Sequence, residues 1–418
     1  MAYTTQEKRI LGTTSAAHFL THLYELTFPA LALTMHDDLG WSLGDVLRLS
    51  FLMYLLFGLG ALPFGLLADR WRAKGVLVIA MLGSGVGCLL VSRAQSEAGI
   101  IGALAIVGVC ISGYHPAGMS LLSRFDGRRG RALGLNGVFG NLGSAMAPLV
   151  AGVLGFEFGW RTAYVFLGAL GLVAGLVTLC IPLADGARTT QETASQPEAR
   201  GRTGNLIGAF AVLCVAMMIA GLAYRGVALV LPATFEAQTT FLRDILQRIQ
   251  VDRLEGISNL AATLIASGVY AVGMIGQVVG GHIADRHDLR KAYLIFHAAS
   301  FPFVLAMGFC SEWALVLVAG AYVFFALGMQ PIENSLVASL TPERWRSTSY
   351  GVKFVLNFGV GSLAVYGVTA LNRDGSFLSV YASVAVLVFL VCLVATLLLR
   401  RTHSSLTHPD SSFEALLS

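Results

Sequence analysis

The segment Phe377–Leu399 reads FLSVYASVAVLVFLVCLVATLLL and contains no charged side chain. A helix needs about 20 apolar residues to cross the hydrocarbon core of a bilayer, because each residue adds about 1.5 Å to its length. Val76–Ser92 is a second uncharged run of similar length. These runs predict helices that span a membrane.

The composition of the whole chain agrees with that prediction. Of its 418 residues, 12% are charged and 56% are hydrophobic, whereas soluble domains carry about 25% charged residues. The short-period alternation of a membrane barrel is absent from the sequence, which leaves helices as the spanning form.

The six cysteines lie in apolar segments without a CxxC pair, and we interpret them as packing residues. The sequence lacks the basic stripe that would indicate a nucleic-acid partner.

Apolar segments and the breaks between them predict twelve spans in an all-α polytopic membrane protein. Residues 1–184 form an N-terminal six-helix bundle, 185–205 a polar cytoplasmic linker, 206–401 a C-terminal six-helix bundle, and 402–418 a cytoplasmic tail. The spans are 11–34, 43–68, 75–93, 98–122, 131–155, 160–183, 206–235, 258–284, 290–310, 313–340, 348–371 and 377–400.

Two further features concern the ends of the spans. With both termini inside, 19 of the 28 Lys and Arg residues fall in inner segments and six in outer loops, so the positive-inside rule predicts cytoplasmic termini. The outer segment 236–256 has apolar residues on one helical face, which predicts an amphipathic helix at the membrane surface. Both a structural lid and a gating element fit this insertion.

The two halves repeat each other. Gly65-Leu-Leu-Ala-Asp69-Arg70 closes the second span, and Gly281-His-Ile-Ala-Asp285-Arg286 closes the eighth, 216 positions later. Same-sense repeats of six helices are typical of transporters with a central site between two bundles.

The first of these loops, with Lys74 after it, resembles the signature between spans two and three of the major facilitator superfamily. The resemblance implies the superfamily's fold and a role for both loops as conformational switches, in which charges pair in one state and separate in the other. Arg72 and Ala73 depart from the signature, and a solvated loop without a switching role is the alternative.

Span five resembles a stretch of the antiporter branch through Gly143, Pro148 and Gly152, with Ala147 and Ala151 in place of two glycines. The resemblance implies exchange rather than uptake. Close packing of small residues, with a bend at the proline, is the alternative.

A finer resemblance lies in three short stretches of the first half. His18 and His22 precede Pro29 in span one, Gly113-Tyr-His115-Pro116-Ala-Gly118 lies in span four, and Asn141-Leu-Gly143-Ser144 follows. Together they resemble the fosmidomycin-resistance branch over roughly residues 15–170.

Ionisable residues within spans are costly and mark function by default. His18, His22 and Glu25 lie on one face of span one, where a carboxylate or imidazole could carry a proton. Metal binding fits this spacing but lacks a cysteine or a second carboxylate, so we predict no metal. A packing role for one histidine is the other alternative.

In the second half, Glu333 and Lys353 lie at equal depth in consecutive helices, which predicts an ion pair that is either fixed or exchanges partners during transport. Gln330 and Asn334 share the face of Glu333. Arg225 is alone in its span, and with Lys353 and the histidines it would favour an anionic substrate.

These features predict a secondary active transporter that works by alternating access, as a proton-coupled exporter of a small organic molecule, with organic anions among the candidate substrates. Glu25 or Glu333 would carry the proton, His18, His22 and His115 would line the site, and Arg225 and Lys353 would contact the anion. A proton-coupled importer of organic anions is the alternative, and a non-transporting receptor or assembly factor a more distant one.

Enzymatic activity is not expected, because the sequence has no nucleotide-binding loop, HExxH motif or nucleophile elbow. We predict no cofactor. The expected partners are the substrate, protons and the lipid bilayer, and the chain is expected to act as a monomer in a bacterial inner membrane.

Overall fold

The computed structural model describes residues 3–122, 129–183, 200–249, 256–341, 346–372 and 376–401. Every regular element in these ranges is a helix. The helices are α1 Thr5–Leu39, α2 Leu43–Arg48, α3 Phe51–Leu59, α4 Ala61–Arg70, α5 Ala73–Arg93, α6 Glu97–Ile111, α7 Tyr114–Leu122, α8 Arg129–Phe158, α9 Trp160–Cys180, α10 Arg200–Gln238, α11 Phe241–Ile249, α12 Ile257–Arg286, α13 Leu289–Met307, α14 Glu312–Leu340, α15 Arg346–Phe354, α16 Ala364–Leu371 and α17 Leu378–Arg401.

The all-α polytopic fold is confirmed. Ten continuous helical stretches in the described ranges are long and apolar enough to cross a membrane, and α1 and α13 account for the other two predicted spans. Span two is divided into α2–α4 and span four into α6–α7. Span eleven contains a π-turn, Val355–Gly359, and a short 3₁₀ turn, Val360–Leu363, between α15 and α16. Most of the predicted linker, and the predicted tail 402–418, lie outside the described residues.

Glycines allow the helices of the two halves to approach closely. In the first half α1 packs on α8 and α5 on α9, whereas in the second α12 packs on α14 and α13 on α17. Contacts between the halves join α8 to α12 and α3 to the π-turn. A Cβ on Gly58 would collide with the backbone of Gly359, so these two helices meet backbone to backbone.

The small residues predicted in span five lie at two such contacts. A Cβ on Gly143 would collide with the carbonyl of Phe19 in α1, and one on Gly152 with the side chain of Thr263 in α12. Pro148 lies inside α8 between them. This geometry supports close packing as one role of the stretch, and its role in exchange stays a prediction.

The halves touch along one part of their length and separate along another. Ser267 donates to the carbonyl of Ala145 at 2.5 Å, and Asn141 donates to the carbonyl of Gly273 at 3.1 Å. Farther along these helices, Gly134 and Gly281 have open space beside them. The separation lies toward the end of the bundle that bears Arg70, Arg72, Lys74, Arg286 and Lys291, which we call the basic end.

The two repeated loops lie at this basic end. Arg70, Asp285 and Arg286 are exposed, and the side chain of Asp69 lies outside the described residues. Lys74 donates to the carbonyl of Leu179 at 2.9 Å. The switching role of the loops stays a prediction.

The second loop is held by the cap of the following helix. Asp288 caps α13 and accepts hydrogen bonds from the backbone and the guanidinium of Arg290. Partial burial raises the pKa of the Asp288 carboxyl, but the hydrogen bonds from Arg290 outweigh it and hold the pKa below its ordinary value.

The predicted insertion contains α11, and residues 250–255 lie outside the described ranges. The ring of Phe241 stacks on Trp313 with centroids 3.9 Å apart, and the carboxylate of Glu312 accepts from the backbone of Thr240 and Phe241. Ile249 is 72% exposed. A strongly amphipathic helix is thus anchored at one end, and its contact with a membrane stays a prediction.

Gly143 provides a direct test of the helix packing. We expect Gly143→Ala to lower the midpoint of thermal unfolding in detergent, because the added carbon collides with backbone, a strain of about 1–3 kcal/mol. Gly134→Ala in the same helix is the control, since its Cβ meets nothing within 4 Å. Equal midpoints for the two variants would contradict the packing.

Candidate functional site

A central cavity lies between the two halves. Of the predicted site residues, those that line it are His18, His22, His115, Gly281, Asp285, Gln330, Glu333, Asn334 and Lys353. Tyr224 of α10 and Phe354 and Asn357 of span eleven are among the other polar and aromatic residues that line it. The cavity extends to the exposed Asp285, so it opens toward the basic end.

Glu25 and Arg225 form an ion pair that joins the two halves. The Nη2 atom of Arg225 lies 2.6 Å from Oε1 of Glu25, and both side chains are buried. The guanidinium also stacks on the ring of Tyr54, 3.8 Å from its centroid, and the Tyr54 hydroxyl donates to the Glu25 carbonyl at 3.0 Å. The pair is farther from the basic end than the cavity, because Glu25 follows His22 in α1 and Arg225 follows Tyr224 in α10.

This pair gives Arg225 a different partner from the one expected from the sequence, and its role in the transport pathway stays a prediction. Arg225 was expected to contact an anionic substrate group, but it is not among the residues that line the cavity. Its charge is balanced by Glu25 instead, because an unpaired buried charge is strongly destabilising. The sequence contained a hint of this pair, since Arg225 is the only charged residue within its span and Glu25 is an acidic residue within another span.

The three histidines form a compact cluster. His22 Nδ1 lies 2.6 Å from Oε2 of Glu25, and its Nε2 lies 3.0 Å from Nε2 of His18. His18 Nδ1 lies 2.9 Å from the backbone carbonyl of Asn136 in α8. His115 stacks on Phe354, with ring centroids 4.1 Å apart. The imidazoles of span one and span four are therefore brought together at the cavity wall.

Glu333 and Lys353 form the predicted ion pair. Nζ of Lys353 lies 2.9 Å from Oε1 of Glu333 and donates to Oδ1 of Asn334 at 2.5 Å. Tyr293 donates its hydroxyl to Oε2 of Glu333 at 3.0 Å. Both charged side chains are nearly inaccessible and border the cavity. Gln330 accepts a hydrogen bond from Gln277 at 2.8 Å beside them.

Two polar partners of Glu333 were not predicted. Tyr293 comes from α13, and Asn357 donates to Oε1 of Glu333 at 3.4 Å from within the π-turn. π-turns are rare and are often found at functional sites, but the sequence has no local pattern that predicts one. Tyr293 is the one tyrosine of α13, and its presence there is also consistent with packing alone.

The cross-half pair gives a second prediction. We expect Arg225→Met to lower the free energy of unfolding by about 3–5 kcal/mol, because it leaves the buried Glu25 carboxylate without its arginine partner. Adding Glu25→Gln should restore part of that loss, as seen in a double-mutant cycle of thermal midpoints.

The matched control is the exposed pair of Arg48 and Asp45, whose side chains are each 52% accessible. Arg48→Met should change stability by at most about 1 kcal/mol. A cost for Arg225→Met as small as that of the control, or strictly additive effects in the cycle, would show that the two charges do not depend on each other.

Known proteins resemble this chain in fold and in sequence. A bacterial homologue of the human lysosomal transporter Spinster, solved in an inward-facing and unoccupied conformation, superposes with a TM-score of 0.68 at 15% identity, covering 97% of this chain and all of that one. The 4-hydroxybenzoate transporter PcaK of Pseudomonas putida is 28% identical over 82% of this chain and 81% of its own length.

A shorter match covers part of the probable sulfoacetate transporter SauU of Cupriavidus necator, 26% identical over 39% of this chain and 38% of the relative. The fosmidomycin-resistance branch stays a prediction. The family model of the Major Facilitator Superfamily matches residues 14–212 and again 213–417, and together with the twelve-span fold this shows that the chain belongs to the Major Facilitator Superfamily.

Proposed function

We propose that this protein is a proton-coupled carrier of a small organic anion that works by alternating access. The observation that carries the proposal is the buried pair of Glu333 and Lys353 at the wall of the central cavity. At that position the Glu333 carboxylate can bind a proton, and the Lys353 ammonium can bind an anion from the cavity.

The two binding events depend on each other. While Glu333 is ionised, its carboxylate is paired with Lys353, so Lys353 cannot bind an anion. Separating the pair loses little net stability when each charge gains a new partner, because a buried ion pair contributes little net stability. A proton on Glu333 removes that charge and leaves the Lys353 ammonium held by Asn334, free to bind a carboxylate or sulfonate from the cavity. A bound anion in turn raises the affinity of Glu333 for a proton, because the anion then neutralises Lys353 in place of the Glu333 carboxylate.

This coupling bears on the direction of transport. A proton and an anion that bind together move together, so an inward proton gradient drives uptake. The expectation from the sequence was proton-coupled export, and coupling of that kind would need proton and substrate to bind in turn rather than together. We therefore place proton-coupled uptake first, and the reason is the physical coupling between Glu333 and Lys353.

Export is the second candidate, and the small-residue stretch from Gly143 to Gly152 favours it. Those glycines lie at the contact of α8 with α1 and α12, where a change in packing would alter how the halves rock. A receptor without transport is the third possibility, and it would bind ligand without moving it.

The Glu25–Arg225 pair supplies the second element of the mechanism. It closes the side of the cavity away from the basic end, where α8 and α12 also touch. We propose that it breaks when the halves rock and the cavity opens at the other side, as expected for charges that pair in one state only. From the positive-inside bias we propose that the basic end and both termini face the cytoplasm, and that the protein acts as a monomer in a bacterial inner membrane.

The substrate class follows from chemistry and from the relatives. One ammonium at the cavity wall, beside aromatic rings such as Phe354, suits a monoanion with an apolar or aromatic body. PcaK and SauU carry names that refer to 4-hydroxybenzoate and sulfoacetate. Aromatic carboxylates and short sulfonates are therefore the first compounds to test.

Uptake into proteoliposomes tests the role of Glu333. We expect wild-type protein to accumulate a labelled anion when the lumen is alkaline, and Glu333→Gln to exchange the anion across the membrane without accumulating it. The amide resembles the protonated carboxyl, so Lys353 stays available while the coupling is lost. Lys353→Gln should lose both activities.

Glu97→Gln is the control, since Glu97 is an exposed residue in the first turn of α6. Gradient-driven accumulation by Glu333→Gln at the wild-type level would refute the assignment of the proton to Glu333. Binding of the anion without exchange in wild-type protein would favour the receptor.

A further inference from the structure

The histidine cluster has a geometry that the proposed function does not require. The donor atoms of His18, His22 and His115 all lie within 4.8 Å of one another, and all three residues are buried. They come from α1 and α7, and their rings face the central cavity.

Hydrogen bonding fixes the form of two of the rings. His18 Nδ1 faces a backbone carbonyl and His22 Nδ1 faces the Glu25 carboxylate, and both of these partners only accept. Each Nδ1 therefore carries the hydrogen, and in the neutral rings each Nε2 presents a lone pair. These two lone pairs face each other at 3.0 Å, an arrangement that is repulsive unless a positive species lies between or beside them.

The third ring decides which species fits best. Among the described residues, neither nitrogen of His115 has a hydrogen-bond partner, although the residue is 4% exposed. Its ring centroid lies 5.4 Å from that of His18 and 5.5 Å from that of His22. A proton shared by His18 and His22 leaves His115 unexplained, whereas a metal ion would use all three imidazoles.

The surroundings also match those of a metal site. Metal-binding histidines commonly donate their second N–H to a carboxylate or a backbone carbonyl, which orients the ring. His22 and His18 make these two interactions. Glu25 supplies negative charge beside the cluster, but Arg225 neutralises part of it, so a bound cation would favour an anion from the cavity.

We propose that His18, His22 and His115 bind one divalent transition-metal ion of the class that prefers imidazole, such as Zn²⁺, with a free coordination position facing the cavity. Three protein ligands and one open position are typical of zinc sites that bind a further small ligand. The sequence analysis predicted no metal, because the spacing in span one offered no cysteine or second carboxylate, and the third imidazole comes from another helix.

Zinc content tests the proposal without a transport assay. Full-length protein in detergent is treated with a chelator, desalted, titrated with ZnCl₂ and desalted again before elemental analysis. We expect about one zinc ion per wild-type chain and an affinity at least about 100-fold lower for His115→Gln, since even second-shell changes cost 10–100-fold. Co²⁺ in place of zinc should give visible absorption in the wild type that His115→Gln lacks.

His297→Gln is the matched control, because His297 is buried and lines the same cavity but lies outside the cluster. It should bind zinc like the wild type, and zinc should raise the unfolding temperature of both proteins but not of His115→Gln. Comparable unfolding temperatures without metal would show that His115→Gln is folded. No zinc retained by the wild type, or equal retention by wild type and His115→Gln, would overturn the proposal and leave a shared proton as the account of the His18–His22 contact.

Discussion

The cost of placing charge in a low-dielectric interior governs this structure. Glu25, Arg225, Glu333 and Lys353 are buried charges in helices that water does not surround, and each is paired. One pair joins the two halves and the other lies within the second half at the cavity wall. Breaking either pair without replacing the lost partner is unfavourable. Each pair can therefore open only when a proton, an anion or another side chain neutralises the separated charges.

That constraint assigns different tasks to the two pairs. Glu25–Arg225 is sealed away from the cavity and holds the halves together on one side, which suits a contact that changes with conformation. Glu333–Lys353 borders the cavity, which suits exchange with ligands. Glycine contacts such as that of Gly58 with Gly359 let the halves approach closely, and the proposed rocking of the halves would exchange these contacts for others.

The sequence predicted the parts of this structure that depend on local pattern. Uncharged runs located the spans, and the equal depth of Glu333 and Lys353 predicted their pairing because consecutive helices run antiparallel. It did not predict the partner of Arg225, since Glu25 lies 200 residues away and only packing of α1 on α10 brings them together. His115 was expected at the site, but its approach to His18 and His22 depends on how α7 packs on α1. The π-turn that presents Asn357 has no sequence signal.

Proton movement is the most direct measurement of the central claim that proton and anion travel together. A pH-sensitive dye is trapped inside proteoliposomes without a pH gradient, and a sulfonate is added outside, because a sulfonate stays ionised and does not cross lipid as a neutral acid. The account predicts acidification of the lumen with wild-type protein and none with Glu333→Gln or with protein-free vesicles. Sulfonate entry without a pH change, or with alkalinisation, would contradict it.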